Sequence, residues 1–252
     1  MDNIKRVLSY TRRAIDDYKM ISAGDRIAVG ISGGKDSLTM LCALAELRRF
    51  YPEPFELVAI TVGMGLEGMD FTGVTALCER LDVPYHTVET EIAHIIFDVR
   101  KESNPCSLCA KMRRGALHNA AQQFGCNKVA LGHHFDDVVE TFMLNLFFEG
   151  RLGCFQPVTY LSRRDLYLIR PMIYMPEKDV RYFANKAELP VVKSTCPEDG
   201  VTEREEMKKL LSTLERQNRG LRYRIFGAIQ RGSIDGFREF GRMQGIKEYS
   251  EE

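Results

Sequence analysis

The chain has 252 residues, 44% of them hydrophobic, and its 35 basic side chains balance 35 acidic ones. That suffices for one well-filled core with appendages, and zero net charge argues against a protein that coats nucleic acid with a uniformly basic surface. No run approaches the eighteen apolar residues of a membrane helix, and the opening Met1-Asp2-Asn3-Ile4-Lys5-Arg6 lacks a secretory apolar segment, so a cytoplasmic protein without a membrane partner is expected.

The first element is an amphipathic helix over Ile4 to Met20, with Val7, Leu8, Ile15 and Tyr18 inward. Ser22-Ala23-Gly24-Asp25 ends it and turns into a short β-branched run, Arg26 to Ile31, that reads as a buried strand. Leu38 to Leu47 is rich in helix formers and too long for a strand. Between them lies Ser32-Gly33-Gly34-Lys35-Asp36-Ser37. A strand, a glycine turn and a helix N-terminus make an anion site, because backbone N–H groups can approach a ligand and the helix dipole adds positive potential. Lys35 supplies a point charge; Ser32 and Ser37 supply hydroxyls. The spacing excludes a Walker A loop, since position 29 is Val and Asp36 follows the lysine, and no G-x-G-x-x-G is present.

Further strands are predicted over 56–62, 84–88, 128–131 and 166–170, alternating with helices over 71–81, 108–124, 137–148 and 177–186. Strands apolar on both sides, separated by helices, imply an α/β fold with a parallel sheet covered on both faces. After Cys196-Pro197-Glu198-Asp199-Gly200 the pattern becomes helical over 203–218 and 221–231, and the last twenty residues read as a loose tail. The organisation expected is an N-terminal helix over 1–24, a nucleotide-binding domain over 25–196 and a helical C-terminal region over 197–252. In such sheets ligands bind beyond the strands' carboxyl ends, where the strand order switches.

A second motif, Leu131-Gly132-His133-His134-Phe135-Asp136-Asp137, ends a strand and opens a helix. Asp136 or Asp137 is a natural N-cap; the pair can also hold Mg²⁺ against a triphosphate or move a proton. Gly132 would let backbone approach a nucleotide, and His134 reads equally as a structural hydrogen-bonding side chain. Seven cysteines, an odd number, argue for thiol or metal chemistry rather than a disulfide framework. Cys106-Ser107-Leu108-Cys109, placed before a helix, can be a redox pair, half a zinc site or part of an iron–sulfur site. Cys42 and Cys78 read as buried small hydrophobes, Cys126 and Cys154 are ambiguous, and Cys196 lies in a loop near the same sheet edge. Lys111, Arg113 and Arg114 sit beside the cysteine pair; Arg216, Arg219, Arg222, Arg224 and Arg231 crowd the C-terminal helices, where a solvated face is the ordinary reading.

Together these segments resemble the PP-loop ATP pyrophosphatases, and within them the tRNA-cytidine(32) 2-sulfurtransferase family. Leu144-Asn145-Leu146-Phe147-Phe148 with Gly150, Ile169-Arg170-Pro171-Met172 and Glu177-Lys178-Asp179 extend the match in order over roughly 25–196. The resemblance implies a Rossmann-like sheet of the adenine nucleotide alpha hydrolase type. It implies that Ser32, Gly33, Gly34, Lys35, Asp36 and Ser37 hold ATP phosphates, with Thr61, Val62, Gly132 and His133 on the nucleotide. Asp36, Asp136, Asp137 and Arg113 would be catalytic, with Mg²⁺ as a cofactor. Cys106, Cys109 and Cys196 would ligate a [4Fe–4S] cluster, leaving one iron open to a substrate sulfide. Lys111, Arg113 and Arg114 would hold tRNA. The reaction implied adenylates a pyrimidine C2 oxygen and replaces it with sulfur, releasing AMP and pyrophosphate. A sulfur donor is therefore a partner, either a cysteine desulfurase or free sulfide, and a homodimer is an assembly open to the chain. Gly63-Met64-Gly65 ends the second strand where many members of the superfamily place an aspartate. Two other functions stay open on residues alone: thiolation or desulfuration of another substrate, and a non-catalytic nucleotide-binding sensor of iron or redox state.

Overall fold

A computed structural model of the protein describes residues 4–66, 68–100, 105–196 and 203–240. The first helix, α1 (Ile4–Tyr18), buries Val7 and Ile15 as its pattern demands, with Leu8 and Tyr18 packed at the core's margin. It lies against α2 (Lys35–Leu47) and α7 (Glu177–Lys186). The strands are β1 (Asp25–Ile31), β2 (Phe55–Gly63), β3 (Tyr85–Glu89), β4 (Lys128–Ala130), β5 (Val158–Leu161) and β6 (Leu166–Ile169). They form one sheet in the order β3-β2-β1-β4-β6-β5, parallel except for β5, which pairs antiparallel with β6.

β1 is the hinge of this topology. It pairs with β2 on one side and with β4 on the other, so the chain's winding reverses between β1 and β4. Their carboxyl ends stand side by side, with Val29 opposite Ala130. The other helices are α3 (Thr72–Arg80), the short α4 (Ile92–His94) that continues as a π-turn over Ile95–Val99, α5 (Pro105–Gln123), α6 (Phe135–Phe148), α8 (Glu203–Gln217) and α9 (Leu221–Arg231). One face of the sheet packs on α1, α2, α6 and α7, joining Ile15, Leu41, Val139 and Phe183 in the larger core. The other face is covered by α5, through Leu117, Ala120 and Ala121 on Ala28, Val58 and Ile60. Each fully buried leucine or isoleucine contributes about 1.5–3 kcal/mol, which commits these strands to a two-sided interior.

Three sequence expectations change. β5 has no counterpart among the predicted strands, because its residues are only partly covered and Tyr160 is exposed, so no two-sided apolar run marks it. Helix α5 begins at Pro105 rather than near Leu108, which places the whole Cys106–Cys109 segment inside its first two turns. The expected loose tail is anchored as far as residue 240: Phe237 is fully buried edge-on against Phe226, and Phe240 packs edge-on at 4.9 Å from Tyr18. Residues 241–252 lie outside the described residues. Among the described residues no helix is long and apolar enough to cross a membrane.

Candidate active site at the switch point of the sheet

The loop from Ser32 to Gly34 leaves β1 and enters α2. Gly34 occupies the N-cap with extended backbone and has no side chain to cap the first turn, so that turn's N–H groups are free of a side-chain partner. The serines hold the loop's shape: the Ser32 backbone N–H donates to Ser37 Oγ at 3.2 Å, and Ser37 Oγ donates to the Gly34 carbonyl at 3.0 Å. Gly33 has φ +83°, a conformation that L side chains rarely adopt, and a Cβ there would stand 2.8 Å from Val192 Cβ. The Val192 backbone N–H donates to the Gly33 carbonyl at 2.9 Å, which latches the loop to the segment leading to Cys196. The Lys35 ammonium contacts Asp36 Oδ1 at 3.0 Å and Glu177 Oε1 at 3.2 Å. Burial opposes its charge, but those two carboxylates outweigh it and hold the pKa above its ordinary value.

The second motif enters α6 beside this loop. Gly132 backs onto α2: a Cβ there would lie 3.1 Å from Ser37 N, so what approaches closely here is protein backbone. His134 is buried and caps α6, accepting the Asp137 N–H on Nδ1 at 3.3 Å while its own N–H donates to Asp137 Oδ2 at 2.9 Å. With Nδ1 accepting, the proton sits on Nε2, which lies 3.6 Å from Asp36 Oδ1. Asp36 and Asp137 therefore flank one imidazole. Asp136 turns away from them. Its Oδ2 accepts the Glu177 N–H at 2.7 Å, capping α7, and its Oδ1 pairs with Arg222 at 3.0 Å. The geometry thus gives Asp136 a structural task, tying α6 to α7 and α9, and does not bring it into the crevice. Arg222 accordingly belongs to the interior rather than to a solvated face.

Beyond the loop, a cavity of about 440 Å³ is lined by Ser32 and Gly34, by Thr61 and Val62 at the end of β2, and by Cys106, Cys109 and Cys196. The three thiols thus meet the phosphate loop in one space although 90 residues separate the first from the last. Burial raises the Cys109 pKa, Arg113 pulls it down, and the nearby Cys196 and Cys106 raise it again. Cys109 Sγ also donates to Met64 Sδ at 3.7 Å. Among the described residues no three His, Cys, Asp or Glu side chains close on a single-ion site. Cys106, Cys109 and Cys196 offer soft sulfur donors to that cavity, the ligand type that iron–sulfur clusters take. Arg113 lines the same cavity. Lys111 and Arg114 are exposed on α5, where Arg114 Nε donates to the Ala110 carbonyl. At Gly63, the place a Cβ would take is filled by the carboxylate of Glu89, supplied by β3.

Comparison with known proteins bears on the fold and the family. Residues 8–209 match ATP_bind_3, a PP-loop domain. The tRNA-cytidine(32) 2-sulfurtransferase of Citrifermentans bemidjiense is 43% identical over 216 residues, 84% of this chain and 85% of that protein. Its counterpart in Geobacter sulfurreducens is 40% identical over 234 residues, 91% of each. The chain belongs to the tRNA-cytidine(32) 2-sulfurtransferase family of PP-loop proteins. The U34-tRNA thiolase NcsA of Methanococcus maripaludis, solved with its [4Fe–4S] cluster, superposes with a TM-score of 0.75 at 29% identity, over 91% of this chain and 78% of NcsA. The NH3-dependent NAD synthetase of Campylobacter jejuni, 15% identical with a TM-score of 0.51 over 95% of this chain, shares the fold.

In this sulfurtransferase-family chain, sequence reading overlooked Glu177 and Lys208 beside Lys35 and Arg204 beside Asp137, because only the packing of α7 and α8 brings them there. It also understated His133. That ring lies tilted by 36° against Phe155 with centroids 4.6 Å apart, and its Nδ1 is sealed without a hydrogen-bond partner among the described residues. Burial, helped by Arg170, pushes the imidazole down to about 4. An unfolded histidine takes its proton near pH 6.5, so between about 6.5 and about 4 the unfolded chain binds more protons, and folded stability falls as pH drops through that window. The urea midpoint of the protein is expected to fall from pH 7 to pH 4, and a His133→Gln variant to show a flatter profile. Parallel profiles for the two proteins would refute the assignment.

Proposed function

We propose that this PP-loop protein is an ATP-dependent tRNA sulfurtransferase that activates the C2 oxygen of a cytidine and replaces it with sulfur. The observation that carries the reading is the single cavity in which the phosphate loop meets Cys106, Cys109 and Cys196. A phosphate site beside three converging thiols serves a reaction that makes a leaving group and then delivers sulfur to the same carbon.

The pyrimidine oxygen attacks the α-phosphorus of ATP, the bond to the β-phosphate breaks, and pyrophosphate leaves. Ser32, Gly34, Lys35 and the uncapped N–H groups of α2 hold the phosphates, and Lys35 takes up charge as the bond to the leaving group breaks. Asp36 and Asp137 are the carboxylates that would hold Mg²⁺ against the triphosphate, since such ions commonly keep water and bind through one or two carboxylates plus substrate phosphates. Hydrosulfide then adds to C2, the C2–O bond breaks, and AMP departs with that oxygen. Cys106, Cys109 and Cys196 would hold a [4Fe–4S] cluster, which supplies a site for sulfide beside the activated base. Thr61 and Val62 border the nucleotide, while Arg113, Lys111 and Arg114 form a basic edge beyond the cysteines for RNA phosphates. The setting is the cytoplasm, with tRNA as substrate and a desulfurase or free sulfide as donor.

Nucleoside analysis of tRNA from a deletion strain tests the reading. Loss of 2-thiocytidine is expected, restored by the wild-type gene; an unchanged thionucleoside profile rejects it. Purified anaerobic protein should release AMP and pyrophosphate in step with tRNA thiolation. An iron-loaded protein that releases neither would point to sensing instead.

A further inference from the structure

We propose that Arg204 and Lys208 of α8 are binding residues for the pyrophosphate leaving group, closing on it from the side opposite the glycine loop. The proposal rests on the ATP-cleaving reading above. The two residues are four apart on α8 and so share one helical face. Lys208 Nζ lies 3.0 Å from Glu177 Oε1, the same oxygen that Lys35 Nζ contacts at 3.2 Å. The loop's lysine and the α8 lysine therefore stand on either side of one atom. Arg181 also reaches that oxygen, at 3.2 Å. Three cations thus reach one carboxylate oxygen, Lys35 being paired with Asp36 Oδ1 at 3.0 Å as well, and Lys208 and Lys35 hold the Glu177 pKa down to about 2 against its burial. Lys35 and Lys208 thereby flank Glu177, where an added anion can take contacts from both ammonium groups.

Arg204 extends the row toward the other motif. Its Nη1 lies 3.4 Å from Asp137 Oδ1 and 3.6 Å from Glu140 Oε2, and its Nη2 donates to Thr141 Oγ1 at 3.1 Å. The side chains of Arg204 and Lys208 remain 42% and 32% exposed, and pairs this open to water are weak and readily exchanged. Their neighbour Glu205 lines the cavity with Ser32 and Gly34, so the first turn of α8 borders the crevice itself. Lys35 alone leaves most of the pyrophosphate charge unbalanced. An ammonium beside it and a guanidinium fork further along match a diphosphate.

Calorimetric titration with magnesium pyrophosphate and, separately, with AMP tests the assignment on wild type, Lys208→Gln, Arg204→Gln and Lys208→Arg. Pyrophosphate affinity is expected to fall at least tenfold in each glutamine variant and to recover with Lys208→Arg, while AMP affinity stays within twofold and the melting temperature is preserved. Unchanged pyrophosphate affinity in both glutamine variants overturns the proposal alone. A lowered melting temperature with both affinities reduced together assigns the pair a structural role and also overturns it. Wild-type protein that binds neither ATP nor pyrophosphate overturns the ATP-cleaving reading, and this proposal with it.

Discussion

Gly33→Ala is expected to lose nucleotide binding and cluster retention together, with ATP affinity reduced by about thirtyfold or more. The backbone at φ +83° strains any L side chain by about 1–3 kcal/mol. A Cβ would also stand 2.8 Å from Val192 Cβ, and overpacking of that kind costs about 1–3 kcal/mol more. Val192 has little room to yield, because its N–H is bonded to the Gly33 carbonyl. Relief therefore displaces either the phosphate loop or the segment leading to Cys196, and each displacement damages a different half of the site. Gly24→Ala separates the two causes. Gly24 has nearly the same φ, +82°, but a Cβ there meets nothing within 4 Å. That variant should lose some stability in urea and keep both ligands. Wild-type ATP affinity in Gly33→Ala would show that the latch does not constrain the loop.

Cys196→Ser is expected to abolish the visible iron–sulfur absorbance after anaerobic reconstitution, as are Cys106→Ser and Cys109→Ser. These three thiols border the cavity. The other cysteines make the comparison informative. Burial pushes the Cys42 and Cys154 thiols up to about 12 and Cys78 up to about 11, so they stay protonated at neutral pH and poor ligands for iron. Cys154→Ala should keep a full complement of iron. A full cluster in Cys196→Ser would assign the third ligand to another thiol, and with it the convergence of loop and cysteines would lose its chemical meaning.

The two predictions divide along what is local in the chain and what is not. Ser32 to Ser37 was legible because a strand, its turn and the following helix are contiguous, and their periodicities announce an anion site before any packing is known. The apolar faces of the sheet were legible for the same reason, as was the helical face of α1. β5 was not, since an edge strand with one side open carries no two-sided apolar run. The extent of the C-terminal anchoring also escaped, because Phe237 owes its burial to contacts with Tyr18 and Phe226 rather than to a local pattern.

The paired aspartates show the limit most clearly. Adjacent in sequence and alike in chemistry, Asp136 and Asp137 invite one reading as a pair. At a helix N-terminus, however, successive residues point in different directions. Asp137 faces His134 and Arg204, whereas Asp136 meets the first N–H of α7 and the guanidinium of Arg222. Likewise Gly132 is required by the approach of α2, a constraint that only the neighbouring element imposes. The sequence by itself determined a strand, a glycine turn and a helix N-terminus suited to an anion, and thiols open to redox, zinc or iron–sulfur chemistry. The tertiary structure decided that Asp137 faces His134 while Asp136 ties α6 to α7 and α9, that Val192 ties the loop to the segment leading to Cys196, and that α8 brings Lys208 to the carboxylate it shares with Lys35. Those outcomes depend on residues tens of positions apart, whose meeting is set by the packing of whole elements and not by any pattern within one of them.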